Sequence, residues 1–277
     1  MDLQLGARRY DVRVRPLVMG ILNRTRDSFY DRGAHFQLDA FLRRAEQLVA
    51  DGADLLDVGA RAAGIGTRRV SEQEESDLAS ESIAALVARF DLPVSVDTWR
   101  SPVAAAAFEA GAVVGNDLSG FSDPAYLPIT AAAGATIVAT HIRLPPQVPD
   151  PDPHYDDVVE DVAKALAALG VRAEGAGIPR ERILVDPGLD LGKTWQQSLD
   201  LLAGCDRFAA IGYHLLVAPS NKIFLGRLLA ADKYQREVGT AAACAVAVHL
   251  GARVIRVHDA RLGRHVAEVT AACLQRH

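Results

Sequence analysis

Eight times along this chain a short apolar run ends in polar residues and gives way to a segment with helical spacing, and this rhythm limits the fold more than any other feature. The first four runs are Leu17 to Leu22 ending at Asn23, Leu55 to Gly59 around Asp57, Val94 to Val96 ending at Asp97, and Ala112 to Val114 leading to Asn116 and Asp117. The others are Thr136 to Ala139 leading to Thr140 and His141, Ile183 to Val185 ending at Asp186, Leu215 to Ala218 leading to Ser220, Asn221 and Lys222, and Val254 with Ile255 leading to Arg256 and His258. Their residues are apolar in succession and do not alternate, which marks parallel strands buried on both faces. Between them Leu38, Phe41, Leu42, Ala45, Leu48 and Val49 recur at helical spacing, Ser71 and Glu74 stand in capping-box order, and Ser101-Pro102 supplies an N-cap with proline at the first helical position. Further helices are expected over Val158 to Leu169, Thr240 to Leu250, and from Ala260 onward. The spacing predicts a single (β/α)8 barrel, one domain over residues 1–277. The alternative, an open doubly wound sheet, would carry a Gly-x-Gly-x-x-Gly turn after its first strand, and the loop after Leu22 has none. The proline-rich stretch from Leu144 to His154 falls in the fifth strand-to-helix loop and reads as a solvent-exposed connection ahead of a lid.

Charge narrows the partners. A net charge of −5 with scattered arginines gives no long-range attraction to a phosphate backbone, which argues against nucleic acid and anionic membrane. No stretch reaches the length of a membrane span, and the first residues lack a signal-type apolar segment. Cys205, Cys244 and Cys273 are far apart and suit neither a zinc site nor a disulfide framework, so a reducing, cytoplasmic setting is expected.

In a barrel every strand's carboxyl end opens on one face, so Asn23, Asp57, Asp97, Asn116, Asp117, His141, Asp186, Lys222, Arg256 and His258 should converge there. Any one of them has an ordinary reading as a turn or helix cap; ten together point to a ligand. Asp97, Asn116, Asp186 and Lys222 combine carboxylates, an amide and a cation, which suits a planar heterocycle with N–H donors and a carbonyl. Arg256, His258 and Asn23 suit an anion near the eighth strand, where barrels commonly hold phosphate. Gly192-Lys193-Thr194 is not a P-loop, because the glycine needed five positions earlier is Pro187. The residues alone read as a site for a phosphorylated heteroaromatic compound.

These residues together resemble dihydropteroate synthase over nearly the whole chain. The matching stretches are Met19-Gly20-Ile21-Leu22-Asn23, Asp27-Ser28-Phe29, Gly52 to Gly59, Ser95-Val96-Asp97-Thr98, Asn116-Asp117, Asp186-Pro187-Gly188, Gly192-Lys193-Thr194, Ser220-Asn221-Lys222 and Arg256-Val257-His258-Asp259. The resemblance implies a barrel, dimeric as a rule, that joins p-aminobenzoate to 6-hydroxymethyl-dihydropterin pyrophosphate with Mg²⁺ and releases pyrophosphate. Carried over by position, Asp97, Asn116, Asp186 and Lys222 would hold the pterin, and Asn23, Arg256 and His258 would bind pyrophosphate, Asn23 also meeting the metal. Asp97, Lys222 and Arg256 would take the catalytic roles.

Three stretches depart from the family pattern. Ala60-Arg61-Ala62-Ala63-Gly64-Ile65-Gly66 stands for Gly-Glu-Ser-Thr-Arg-Pro-Gly, Arg24 and Arg26 replace valine and proline in the first loop, and Ile223 replaces the serine that would meet the aminobenzoate carboxylate. The pattern is similar to second-copy synthase homologues of actinobacteria. The leading expectation is therefore a pterin-dependent transferase with a different acceptor. A non-catalytic pterin-binding protein and a folate-dependent methyltransferase are the alternatives, the latter having no need of Arg256 and His258. An ordinary synthase would require Arg24, Arg26 or Arg61 to stand in for the lost groups.

Overall fold

The computed structural model describes residues 2–25, 37–61, 70–232 and 235–276. A short antiparallel hairpin comes first, β1 (Leu3–Leu5) and β2 (Arg8–Tyr10). The parallel strands are β3 (Leu17–Asn23), β4 (Leu55–Gly59), β5 (Val94–Asp97), β6 (Val114–Asp117), β7 (Thr136–Thr140), β8 (Ile183–Asp186), β9 (His214–Val217) and β10 (Ala252–Val257). Each pairs with the next and β10 returns to β3, closing the barrel. Around it run α1 (Leu38–Ala50), α2 (Glu72–Arg89), α3 (Ser101–Glu109), α4 (Tyr126–Ala132), α5 (Val158–Gly175), α6 (Trp195–Ala203), α7 (Cys205–Ala209), α8 (Ile223–Leu229), α9 (Glu237–His249) and α10 (Ala260–Leu274). The (β/α)8 barrel expected from the rhythm of the sequence is the fold.

The apolar residues divide by strand parity, because neighbouring side chains on a strand face opposite ways. Val18, Leu22, Leu56, Val58, Val96 and Val257 pack outward against α1, α2 and α10 in one cluster, and Ile137, Ile183, Val185, Leu215 and Val217 do the same against α5 to α9. The other parity, Leu17, Met19, Leu55, Val114, Val138, Leu184, Leu216 and Val254, forms a separate cluster that fills the lumen. The hairpin closes the floor beneath it with Leu3, Leu5 and Val12. Gln4 anchors it by accepting from Thr136 Oγ1 (2.6 Å). The sequence reading did not foresee this hairpin: three-residue strands carrying Arg8 and Arg9 show too little periodicity.

Several helix starts follow local chemistry, and α3 does not. Ser71 Oγ accepts from Glu74 N (3.1 Å), and Thr194 with Gln197 forms a reciprocal capping box on α6. Ser101, expected to cap α3 with its own side chain, is the first helical residue, and Asp123 of a later loop accepts its N–H (2.9 Å). The proline-rich loop after β7 is largely exposed but pinned at both ends. Arg143 Nε donates to Asp150 (2.6 Å), Tyr155 Oη to the Gly192 carbonyl (3.0 Å) and Gln197 Nε2 to the Pro153 carbonyl (3.0 Å).

Candidate functional site

The lumen parity that fills the lower barrel with Leu55, Val114, Leu184 and Val254 must bring Asp57, Asn116, Asp186 and Arg256 inward one layer higher, two residues on. Contacts across the lumen bear this out. Asp57 on β4 is fully buried and accepts three donors: Ser95 Oγ (2.5 Å), Asn116 Nδ2 (3.0 Å) and Arg256 Nε (2.6 Å). The second arm of Arg256, Nη2, donates to Asp97 Oδ2 (2.6 Å). One guanidinium thus lies between two carboxylates from β4 and β5, and the Asn116 amide is turned so that Oδ1 remains an acceptor. Asn23 joins from β3: its Oδ1 lies only 2.5 Å from where a Cβ would stand on Gly59, so the absence of a side chain there makes room for it.

Asp186 ends β8 and accepts from Gly188 N (2.8 Å) within a tight turn. Gly188 has φ +68°, and a Cβ would come 2.1 Å from the His141 carbonyl oxygen. Lys193 locks this turn, its buried ammonium donating to His141 Nδ1 (2.8 Å), the His141 carbonyl (3.0 Å) and the Gly188 carbonyl (2.9 Å). Three acceptors use all three of its protons. Lys222 reaches over from the loop after β9 and donates to the Leu189 carbonyl. Arg236 in turn holds that loop by donating to the Asn221 (2.9 Å) and Lys222 (3.2 Å) carbonyls. His258 is fixed by Ser220, whose Oγ accepts from the His258 backbone N–H (3.1 Å) and lies 2.9 Å from Nδ1. Ser220 thus fixes the imidazole plane, and which of Oγ and Nδ1 donates follows the tautomer of the ring.

Burial sets the protonation states. It pushes the Asp97 carboxyl up to about 7, against the Arg256 guanidinium and with some help from Asp57. Asp186 is raised in the same direction by burial, with Lys222 opposing. His258 is held down to about 3 by burial and by Arg256, so its imidazole is neutral near pH 7. Lys193 and Lys222 are both lowered by burial.

Eight of the ten strand-end residues converge, and two do not. Asp117 has the opposite parity from Asn116 and caps its own loop, accepting from Ser119 N (2.6 Å) and Phe121 N (3.0 Å). His141 likewise follows Thr140 onto the outer side and is engaged by Lys193. The sequence reading also missed Ser95, whose place two residues before Asp97 is the signal for a second inward polar group.

Such a layer, with three carboxylates, two amides and two cations, offers several acceptors for N–H donors and a guanidinium set among them. The family described as pterin binding enzyme matches residues 19–258. This chain belongs to that family. It is 36% identical over 272 residues to the dihydropteroate synthase of Synechocystis sp., covering 98% of this chain and 94% of that one. It is 40% identical over 263 residues to inactive dihydropteroate synthase 2 of Mycobacterium leprae, covering 93% and 90%. A probable bifunctional folylpolyglutamate synthase/dihydropteroate synthase of Haloferax volcanii is 39% identical over 259 residues; the match takes in 94% of this chain but 30% of that longer protein. Among solved structures, Yersinia pestis dihydropteroate synthase with a sulfonamide drug superposes with a TM-score of 0.94 at 34% identity, over 99% of this chain and 100% of that one.

Within this pterin-binding family the departures can now be located. Arg24 has the parity opposite to Asn23 and turns out of the lumen, where it is buried against Glu81 (2.5 Å) and Ser82 (3.2 Å) of α2. Arg61 lies buried over the Trp99 ring, 3.2 Å from its centroid, with Glu75 at 3.6 Å. Burial lowers its guanidinium to about 10. Arg26, Asp27 to Phe29 and Ala62 to Gly66 lie outside the described residues. Ile223 stands at the start of α8, 54% exposed.

Proposed function

We propose that this chain binds 6-hydroxymethyl-dihydropterin pyrophosphate and transfers its pterin methylene to an amine other than p-aminobenzoate. The observation that carries this reading is the network across the lumen in which Asp57 holds both Asn116 and Arg256 while Arg256 rests on Asp97. It presents acceptors and a guanidinium at fixed places, as a pterin bearing a diphosphate requires. Asp97 and Asp186 would accept from the pterin N–H groups, Asn116 Oδ1 would accept a further one, and Lys222 would donate to the ring. Arg256, His258 and Asn23 would face the diphosphate.

In the reaction the C–O bond to the diphosphate breaks, the leaving group takes the electron pair, and the methylene carbon becomes cationic. The amine nitrogen then forms the C–N bond and loses a proton. Asp97 and Asp186 would stabilise the developing cation and Arg256 the developing anion, each already oriented before charge develops. The donor set fits Mg²⁺ brought on the diphosphate better than an all-protein cage, because Asn23 and neutral His258 offer few hard anionic ligands. Asn23 would meet that ion, which neutralises the leaving group when bound.

Two of the arginines that could have replaced the lost aminobenzoate contacts, Arg24 and Arg61, are engaged elsewhere, and this supports a changed acceptor over an ordinary synthase. The likeness to inactive dihydropteroate synthase 2 of Mycobacterium leprae favours a second reading, a pterin-binding protein without turnover. Incubation with hydroxymethyl-dihydropterin pyrophosphate and Mg²⁺, with and without p-aminobenzoate, separates them when products are followed by mass spectrometry and pyrophosphate is assayed. Pyrophosphate release without dihydropteroate is expected. Dihydropteroate formed at turnover would sink the changed-acceptor reading, and absence of release would favour the binding protein.

Leu228, Leu229, Val238, Val246 and Val269 are exposed on α8, α9 and α10, a face that a second copy would cover in the expected homodimer. No helix among the described residues is long and apolar enough to cross a membrane, and the protein is expected in the cytoplasm. Light scattering on the purified chain tests the dimer.

A further inference from the structure

Asp190 lies in the loop between β8 and α6 with φ +65°, a left-handed backbone that residues with side chains adopt rarely. Its carboxylate does not face solvent freely. Oδ2 accepts from Ile223 N (2.5 Å) and Phe224 N (3.3 Å), the first two amides of α8, and Ser198 Oγ holds the backbone by accepting from Asp190 N (3.1 Å). Asp190 is also the charge that acts most strongly on Lys222. The rim over β8 and β9 therefore carries a carboxylate that already holds the first amides of α8, beside an exposed isoleucine at position 223.

The position of this carboxylate matters because the proposed diphosphate site lies elsewhere. Arg256, His258 and Asn23 sit at the ends of β10 and β3, so a departing diphosphate leaves from there, whereas Asp190 stands beyond β8 beside Ile223, the position where the family resemblance places the partner of the acceptor. This step rests on the pterin-transferase reading above. We propose that Asp190 is the specificity-determining residue of the acceptor half, and that the acceptor is an amine with no negative charge at its far end, neutral or cationic. A carboxylate arriving at this rim would find the Ile223 and Phe224 N–H groups occupied by Asp190 and the Lys222 cation already facing that carboxylate, so neither partner is left for it. An uncharged or cationic group needs neither.

The test compares p-aminobenzoate with p-aminobenzamide, its neutral counterpart, by calorimetry and ligand-observed NMR on the full chain, with and without hydroxymethyl-dihydropterin and Mg²⁺-pyrophosphate. The unaltered protein should bind the amide at least tenfold more tightly than the acid. Asp190→Asn, which keeps an acceptor for the α8 amides, should bring that ratio to within about threefold, and Asp190→Gly should do the same if the asparagine variant does not fold. An unaltered protein that binds both amines equally, an Asp190→Asn ratio that does not move, or failure of every form to bind either amine overturns the assignment. A separate titration with hydroxymethyl-dihydropterin alone addresses the pterin half: a shifted amine ratio without pterin binding would remove the transferase reading and leave the role of Asp190 in place.

Discussion

At the scale of single residues the decisive group is Asp57, which is the common partner of one residue proposed for the pterin and one proposed for the anion. Asp57→Asn would leave Arg256 with a buried, half-matched guanidinium and would put an amide hydrogen opposite Asn116. Breaking a buried pair of this kind costs about 3 kcal/mol. Pterin and Mg²⁺-pyrophosphate affinity should each fall at least tenfold, and in an Asn116→Ala background the further loss for the pterin should be small, since coupled residues are not additive. Calorimetry on the four proteins of that cycle checks it; full additivity would show that Asp57 does not act through Asn116. Asp97 makes a prediction with a sign. Its carboxyl is raised to about 7 in the folded chain, so the folded state holds this proton more tightly than the unfolded state, and the contribution to stability falls as pH rises from the ordinary carboxylate range towards 7. Asparagine cannot ionise. Asp97→Asn should therefore gain stability relative to the parent between pH 4.5 and 7, by up to roughly 1.4 kcal/mol per pH unit. His141 and His258, both held near 3, work in the opposite direction but are common to the two proteins. Urea denaturation at several pH values should show the widening gap, and a constant difference would mean that Asp97 is not raised. Which strand-end residues face the lumen was largely readable in advance, since every second position from Leu55 or Val254 leads to Asp57 or Arg256. What the strand ends concealed was parity across the last position: Asp117 and Arg24 look like members of the site until the side on which each lies is known.

At the scale of elements the site depends on two glycines with different duties. Gly59 gives Asn23 its space on the neighbouring strand, and a methyl there would displace the movable end of one side chain rather than the backbone. Gly59→Ala should fold with stability close to the parent, yet weaken Mg²⁺-pyrophosphate about tenfold, roughly 1.4 kcal/mol. Asn23→Ala should have the same effect, and the two together little more; an unchanged affinity in calorimetry would exclude Asn23 from the anion corner. Gly188 is different, because its φ of +68° and the 2.1 Å approach to a carbonyl oxygen involve the backbone itself. Gly188→Ala should cost about 3 kcal/mol and disorder the Asp186 turn, which Lys193 can no longer hold. Strand and helix existence followed from pattern, and their ends less well. The reason is visible at α3, where the cap that the local sequence offers in Ser101 is supplied by Asp123 from a loop two elements later. The tie between the loop after β7 and the loop after β8 is of the same kind: Tyr155 and Gly192 are 37 residues apart, and nothing in either stretch names the other.

At the scale of the whole molecule the barrel has two unlike ends, a polar mouth and an apolar floor, and the floor is finished by a hairpin that the sequence hardly advertises. A strand of three residues shows no measurable period, and Leu3 and Leu5 could belong to any terminal tail. Only the closed lumen explains them. Leu17, Leu55, Val114, Leu184 and Val254 would otherwise face water at the lower end, and the hairpin covers them with Leu3, Leu5 and Val12, all essentially inaccessible. Each leucine buried in this way stabilises the fold by about 1.5 to 3 kcal/mol through removal of apolar surface. Truncation leaves a cavity as well, so Leu3→Ala and Leu5→Ala should each cost about 2 to 5 kcal/mol in denaturant unfolding. Because the hairpin meets the strands at their amino ends while Asp57, Asp97, Asp186 and Arg256 stand near the carboxyl ends, the same variants should bind pterin as the parent does at temperatures where both are folded. Equal losses of stability and affinity would mean that the floor and the mouth form one cooperative structure through the lumen side chains, and that packing of Met19 and Val138 between them sets the position of the carboxylates above.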